Sequence, residues 1–123
     1  MNIDVKVIPH SGQRLGDVGD WYFDDTGTLI VRVSSMRSWR LEFLVAIHEI
    51  VEAALCRFDE VDYREVDKYQ ADANDKEPGD DPGAPYVDQH CFAIGIERLL
   101  AARLDVLWRV YERQLDDIAN GST

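Results

Sequence analysis

The sequence has few basic residues and no long apolar run, and each shortage excludes a class of function. Thirteen lysines and arginines stand against 24 aspartates and glutamates, which gives a formal net charge of −11. Binding to nucleic acid without regard to sequence needs a basic surface, and docking on an anionic membrane needs one too, so we expect neither. A transmembrane helix needs about 20 apolar residues in succession, and the sequence has no such run.

Cysteines are also scarce, and no targeting signal is visible. The two cysteines, Cys56 and Cys91, lack CxxC spacing, and the opening MNIDVKVIPH lacks the charged-then-apolar build of a signal peptide. We therefore expect a cytoplasmic protein whose thiols are reduced, each acting as a small buried hydrophobe. A closed zinc site that combines both cysteines with His90 is a minor alternative, because the tight knuckles typical of structural zinc sites are absent.

The residues that are present predict a single folded domain over 1–123. A hydrophobic share of 46% in 123 residues is enough for a real core. Alternating apolar residues predict a half-buried strand at 3–7, and Pro9 ends it. Two further strands, at 21–23 and 29–33, flank a tight hairpin turn, so we expect a small antiparallel sheet.

The rest of the sequence predicts helices. We expect helices at 38–58, at 63–73 and at 87–104, then a last one that begins near Leu107 and stops at Gly121. Between the second and third helices, the stretch NDKEPGDDPGAP has the composition of a loop. The third helix should turn one apolar face to the core, made of Phe92, Ile96, Leu99 and Leu100. Strands first and helices afterwards predict an α+β fold.

The first long helix carries the motif H-E-x-x-E, formed by His48, Glu49 and Glu52. Residues four apart on a helix project to the same side, so His48 and Glu52 can bind one metal ion. Zinc accepts both imidazole and carboxylate ligands, and Glu49 could act as the general base towards a metal-bound water. A third ligand must come from elsewhere; of the two other histidines, we favour His90 over His10.

An alternative interpretation is that the motif forms a solvated polar stripe. A solvated stripe should be uniformly polar. The motif lies within an arc of about 120° on the helix surface that also holds apolar residues, and this weakens the alternative interpretation. The apolar residues are Leu41, Val45 and Cys56. Further carboxylates could assist a metal site: Glu97 as a fourth ligand or as a partner of one, Asp67 by orienting a histidine, and the acidic residues Asp80, Asp81 and Asp88 by binding a hard cation.

The run TLIVRVSSM followed by WRLEFLVAIHEIVEAAL resembles the strand-then-active-helix arrangement of zincin metallopeptidases, especially the compact gluzincin type. In that group an edge strand aligns an extended peptide, the motif H-E-x-x-H gives two ligands, and a later helix gives a glutamate. The resemblance implies a zincin-like fold, with His48 as first ligand, Glu49 as general base and Glu52 at the second-ligand position. Compared with gluzincins, the second ligand on the motif helix would be a glutamate, Glu52, and the ligand on the later helix would be a histidine, His90. The chain also resembles small phage or prophage proteins, which implies no activity.

The leading hypothesis is a hydrolase that depends on zinc or another divalent metal and acts on a peptide or protein substrate. One alternative is a magnesium-dependent nucleotide pyrophosphohydrolase, because Glu49 and Glu52 also form E-x-x-E. That class needs a second acidic pair, E-x-x-D, and the nearest acidic residues have the wrong spacing: Glu60, Asp62, Glu65 and Asp67. The other alternative is a non-catalytic structural or interaction protein with a buried polar network. The sequence does not determine the oligomeric state.

Overall fold

The computed structural model describes residues 1–72 and 78–121. Three strands come first and four helices follow, so the predicted α+β class is confirmed. The strands are β1 (Ile3–Ile8), β2 (Gly19–Phe23) and β3 (Leu29–Ser34). The helices are α1 (Trp39–Phe58), α2 (Tyr63–Asp72), α3 (Val87–Arg103) and α4 (Trp108–Ala119). None of the described helices is both long and apolar enough to cross a membrane.

The sheet has the order β1-β3-β2, and it is mixed rather than antiparallel. β2 and β3 form the predicted antiparallel hairpin, and Gly27 takes a φ of 81° in its turn. β1, however, runs parallel to β3, so the expectation of a wholly antiparallel sheet was wrong. An apolar residue at every second position shows which side chains share a face of the sheet. The same pattern occurs in parallel and antiparallel strands, so it does not predict the direction of β1.

Helix α1 lies across the face of β2 and β3 that carries the core residues Leu29, Val31 and Val33. It begins after Ser38, whose side chain accepts a hydrogen bond from the backbone N–H of Leu41 and so caps the N-terminus of the helix. The buried side of this helix is the arc that carries the H-E-x-x-E motif. The motif therefore faces the interior of the protein.

Helix α3 packs against α1 with a face that differs from the one predicted, because of the four residues expected to face the core only Leu100 packs against it. Phe92 and Leu99 are 59% and 69% exposed, so the expectation that they face the core was wrong. The buried residues of this helix are Gln89, His90, Ala93, Glu97 and Ala101. Small alanines let the two helices approach closely, and the polar residues on the same face meet the polar arc of α1.

The remaining elements lie close to their predicted bounds. α4 turns Tyr111, Leu115 and Ile118 inwards, and a left-handed Asp105 (φ 56°) separates it from α3. The loop predicted at 74–85 is only partly described: residues 78–80 form a single 3₁₀ turn, whereas 73–77, including the predicted end of α2, lie outside the described residues.

Candidate metal centre

The two ligand candidates on α1 are buried. His48 is 8% exposed and Glu52 only 2%, so the motif is not a solvated stripe. The four-residue spacing places both side chains on one side of the helix, where Nε2 of His48 lies 3.0 Å from Oε2 of Glu52. Buried polar side chains need hydrogen-bond partners, and His48 and Glu52 each have more than one.

His90 on α3 joins this pair, as the sequence predicted. Its Nδ1 lies 2.8 Å from Oε2 of Glu52 and 3.2 Å from Nε2 of His48. Ligand atoms of a tetrahedral zinc ion, with bonds of about 2.0–2.2 Å, lie roughly 3.3–3.6 Å apart. The triangle of donors would thus have to widen by less than about 1 Å on each side. His48, Glu52 and His90 form a buried group that could hold a metal ion.

A second set of side chains orients this triangle. Glu97 Oε1 lies 2.7 Å from Nδ1 of His48, and the hydroxyl of Tyr111 donates a hydrogen bond to the other oxygen of Glu97. Nε1 of Trp21 donates to Oε1 of Glu52 at 2.9 Å. A carboxylate that accepts the N–H of a histidine fixes the tautomer that leaves the other nitrogen free for a metal. Glu97 therefore acts as the orienting partner of His48 rather than as a fourth ligand.

The 3₁₀ turn at 78–80 supports the ring of His90 from behind. A Cβ atom on Gly79 would lie 2.5 Å from Cγ of His90, so only glycine leaves room for the ring. Nε2 of His90 lies 3.2 Å from Oδ1 of Asp80, within reach of an ion pair but without the alignment of a hydrogen bond. The turn thus sets the position of the ring that α3 contributes.

The charges of the cluster are strongly coupled. Burial alone would lower the pKa of His48, but hydrogen bonds to Glu52 and Glu97 outweigh it, and the pKa lies well above its ordinary value. Burial alone would raise the pKa of Glu52, but hydrogen bonds from His48 and His90 hold it well below the usual range. Hydrogen bonds to two carboxylates thus favour the protonated form of His48.

Glu49 lies beside this cluster and lines the same cavity, which has a volume of about 290 Å³. Its Oε1 would be 2.5 Å from a Cβ atom on Gly19, so that glycine leaves space for the carboxylate. Burial and then the charge of Glu52 raise the pKa of Glu49 well above its ordinary value. A carboxylate whose pKa is raised accepts a proton more readily than an ordinary one, which suits a general base.

The other residues considered from the sequence are not part of the described cluster. Cys91 is exposed, and burial raises the pKa of the Cys56 thiol to about 12, which keeps it protonated. His10 hydrogen-bonds Ser34, and Asp67 pairs with Arg14. Of the acidic residues considered for a hard cation, Asp81 accepts from Tyr69 and Asp88 is exposed.

Sequence reasoning missed the contacts of Trp21 and Tyr111 with the site, because it placed these residues only on a predicted strand and on the last predicted helix. Their polar atoms offered a usable signal, because a buried indole N–H or phenol O–H normally has a hydrogen-bond partner. What the sequence could not supply was the identity of those partners, since β2 and α4 are remote from the motif in the chain.

No protein-family model, curated protein or solved structure matches this chain. The chemistry of the site is therefore inferred from its own donor atoms, burial and charge.

Proposed function

We propose that this protein is a zinc-dependent hydrolase, metallopeptidase-like, that cleaves a peptide bond or a related amide. The observation that supports it most is the triangle of donor atoms, 2.8–3.2 Å apart, formed by His48, Glu52 and His90. The triangle borders a cavity that Glu49 also lines. Three ligands and one open position are the usual arrangement of a catalytic zinc site.

Each residue has a separate task in this proposal. His48, Glu52 and His90 would hold the zinc ion, which would supply a bound water with a pKa of about 7 and a Lewis acid for the carbonyl group. Glu49 accepts the proton of the attacking water, and its raised pKa allows it to pass that proton to the leaving amine. Glu97 accepts the N–H at Nδ1 of His48 and so leaves Nε2 as the atom that would hold the metal.

The lining of the cavity favours a substrate that carries positive charge. Beyond Glu52 and Glu97, the lining contains five further carboxylates, and no lysine or arginine of the described residues takes part. These carboxylates are Asp17, Glu49, Asp80, Glu112 and Asp116. Aromatic rings of Trp108 and Tyr86 add apolar surface. An acidic cavity attracts cations, so a basic side chain next to the cleaved bond fits it best.

The resemblance to zincins supports a peptide as the substrate. The strand that would align this peptide, however, is not the strand that directly precedes the motif helix. The strand before the motif helix, β3, lies in the centre of the sheet, whereas β2 is the edge strand that reaches the cavity. An extended peptide would therefore align with β2. Gly19, at the start of that strand, lies beside Glu49.

The metal part of the proposal is tested on protein purified without a histidine tag. We expect about one zinc ion per chain, measured by elemental analysis after dialysis. His48→Ala and His90→Ala should each abolish it, because each removes one of three ligands. His10→Ala is the matched control, since His10 lies outside the cluster and should leave the zinc content unchanged.

The hydrolase part is tested with a mixture of peptides, some basic and some acidic, by mass spectrometry of the products. Glu49→Gln should retain zinc and lose turnover by about a hundredfold or more, as expected for removal of a general base. Cleavage that survives this substitution with zinc bound would refute the assigned base. Magnesium-dependent nucleotide hydrolysis would instead support the pyrophosphohydrolase class.

A different outcome would favour the structural alternative. His48 already bonds two carboxylates, so the cluster is a satisfied buried network even without a metal. Protein that contains no zinc, stays folded and is unaffected by a chelator would show that the network serves stability alone.

A further inference from the structure

Strand β1 leaves one of its two edges open. Within residues 1–72 and 78–121 it pairs only with β3, at the edge of the sheet. The carbonyl groups of Asn2 and Ile8 accept hydrogen bonds from the backbone N–H groups of Leu29 and Ser35. In a parallel pair, alternate peptide groups face the neighbouring strand, so the even-numbered groups of β1 face β3. The odd-numbered groups therefore point away from the sheet.

The same edge exposes a row of apolar side chains. Ile3, Val5 and Val7 are 42–50% exposed, although they share a face with residues of β3 that are fully buried. Helix α1 packs over β2 and β3, which leaves this row uncovered. The prediction that β1 is half-buried through its apolar face was therefore wrong. An open edge with an apolar face is a template for another strand.

We propose that a second copy of this chain occupies this edge, by antiparallel pairing of the two β1 strands around a two-fold axis at Val5, so that the apolar rows of the two copies lie side by side. Val5 then faces Val5 of the partner subunit, and Ile3 faces the partner's Val7. Both pairs consist of odd-numbered residues, so their outward peptide groups can exchange about six hydrogen bonds. The two three-stranded sheets become one continuous sheet.

The charges of β1 select this register over its neighbours. In the proposed register Asp4 faces the partner's Lys6, and the two-fold axis repeats the pair. A shift of two residues in one direction preserves hydrogen bonding between odd-numbered residues but places Asp4 against the partner's Asp4. A shift of two residues in the other direction places Lys6 against the partner's Lys6. Like charges directly opposite each other destabilise a strand pair, whereas opposite charges stabilise it. The sequence of β1 is thus self-complementary in one register only.

The proposed contact is independent of the metal centre. None of the residues that line the cavity comes from β1. Asp4 also lies 3.5 Å from Nη1 of Arg32 within its own sheet, and its side chain remains 38% exposed, so it can reach a second cation. A dimer would therefore join the apolar rows of the two copies into one strip and leave the cavity accessible.

The charge pair provides the test, with sedimentation equilibrium on the full chain as the measurement. The wild-type protein should be a dimer. D4K and K6D should each weaken the dimer about tenfold or more, because each places like charges in contact twice. The double variant D4K/K6D should restore the wild-type dissociation constant, and an equimolar mixture of the two single variants should form a heterodimer.

Val5→Pro provides a second variant that does not depend on charge. It removes an N–H group that points away from β3, so the sheet keeps its hydrogen bonds, and proline is tolerated in edge strands. We expect this variant to be monomeric with an unchanged circular dichroism spectrum. A wild-type protein that is monomeric at about 100 µM, far above the dissociation constants of specific complexes, would overturn the proposal. A dimer that is insensitive to both charge variants would also overturn it, since another surface must then hold the two copies together. Pairing of the β1 edge with added peptides, but not with a second copy, would overturn it as well.

Discussion

His48 is held between two carboxylates, and this contact determines which of its ring nitrogens can bind a metal. Nδ1 faces Glu97 at 2.7 Å, so it carries the proton and leaves Nε2 towards Glu52 and His90. Loss of such an orienting carboxylate typically lowers metal affinity 10–100-fold. We therefore expect Glu97→Gln to weaken zinc binding about tenfold or more, measured by competition with a coloured chelator.

Glu112→Gln is the matched control for that substitution. Glu112 also lines the cavity and carries the same charge, but it is exposed and lies outside the donor triangle. A loss of affinity that depends only on cavity charge would affect both variants equally. Equal losses would contradict the orienting role of Glu97.

Trp21 offers a separate prediction, on stability. Its indole N–H is a buried donor to Oε1 of Glu52, and Trp21→Phe leaves that oxygen without it. An unsatisfied buried acceptor costs about 1–3 kcal/mol, so we expect the free energy of unfolding to fall by about that much. Urea titration followed by circular dichroism measures it. Trp39→Phe, at a position that is 68% exposed, should change it by less than about 0.5 kcal/mol.

At the scale of elements, the 3₁₀ turn at 78–80 makes the clearest prediction about the site. Gly79→Ala would place a methyl group against the ring of His90 and displace that ligand, so we expect zinc affinity to fall and the fold to persist. Gly83→Ala is the control in the same segment, because its added Cβ would meet its neighbours at 3.5 Å or more, an ordinary contact. Calorimetric titration with zinc compares the two variants. Equal affinities would show that the turn does not position His90.

The helices could be predicted from the sequence better than the faces they bury. The cap at Ser38 and the end at Phe58 are local signals, and the predicted bounds of α1 are within one residue of the observed ones. The face of α3 was predicted from hydrophobicity, and this failed because its inner face carries the site. Phe92 and Leu99 are apolar and still lie outside, so hydrophobicity is a poor guide where a functional cluster occupies the interior.

The part of the candidate site that lies on a single helix could be predicted from the sequence. The spacing of His48 and Glu52 on one helix follows from the period of 3.6 residues. The third ligand was sought among the two remaining histidines, His90 was favoured over His10, and the structure places His90 in the cluster. The contacts of Trp21 and Gly79 depend on how the sheet and the loop pack against α1, and no local pattern encodes that packing.

The whole molecule should respond to pH in a way that depends on the metal. His48 and Glu49 have folded pKa values raised above their unfolded ones, so the stability that each contributes is present at low pH and is lost as the pH rises through the folded value. Asp17, with a pKa raised to about 6 by burial, adds the same trend between about pH 4 and pH 6. Metal-free protein should therefore lose stability as the pH rises through neutrality.

Zinc should reverse this trend, because the ion replaces the protons that hold the cluster together. Binding requires deprotonated ligands, so affinity rises with pH, and stabilisation by a ligand grows with its concentration relative to the dissociation constant. We expect the difference in Tm between zinc-loaded and chelator-treated protein to increase from pH 6 to pH 8, measured by calorimetry at fixed free zinc. His90→Ala should show no such difference at either pH. A difference in the wild-type protein that stayed constant or shrank with pH would mean that zinc does not compete with the protons on His48, and that the ion binds elsewhere.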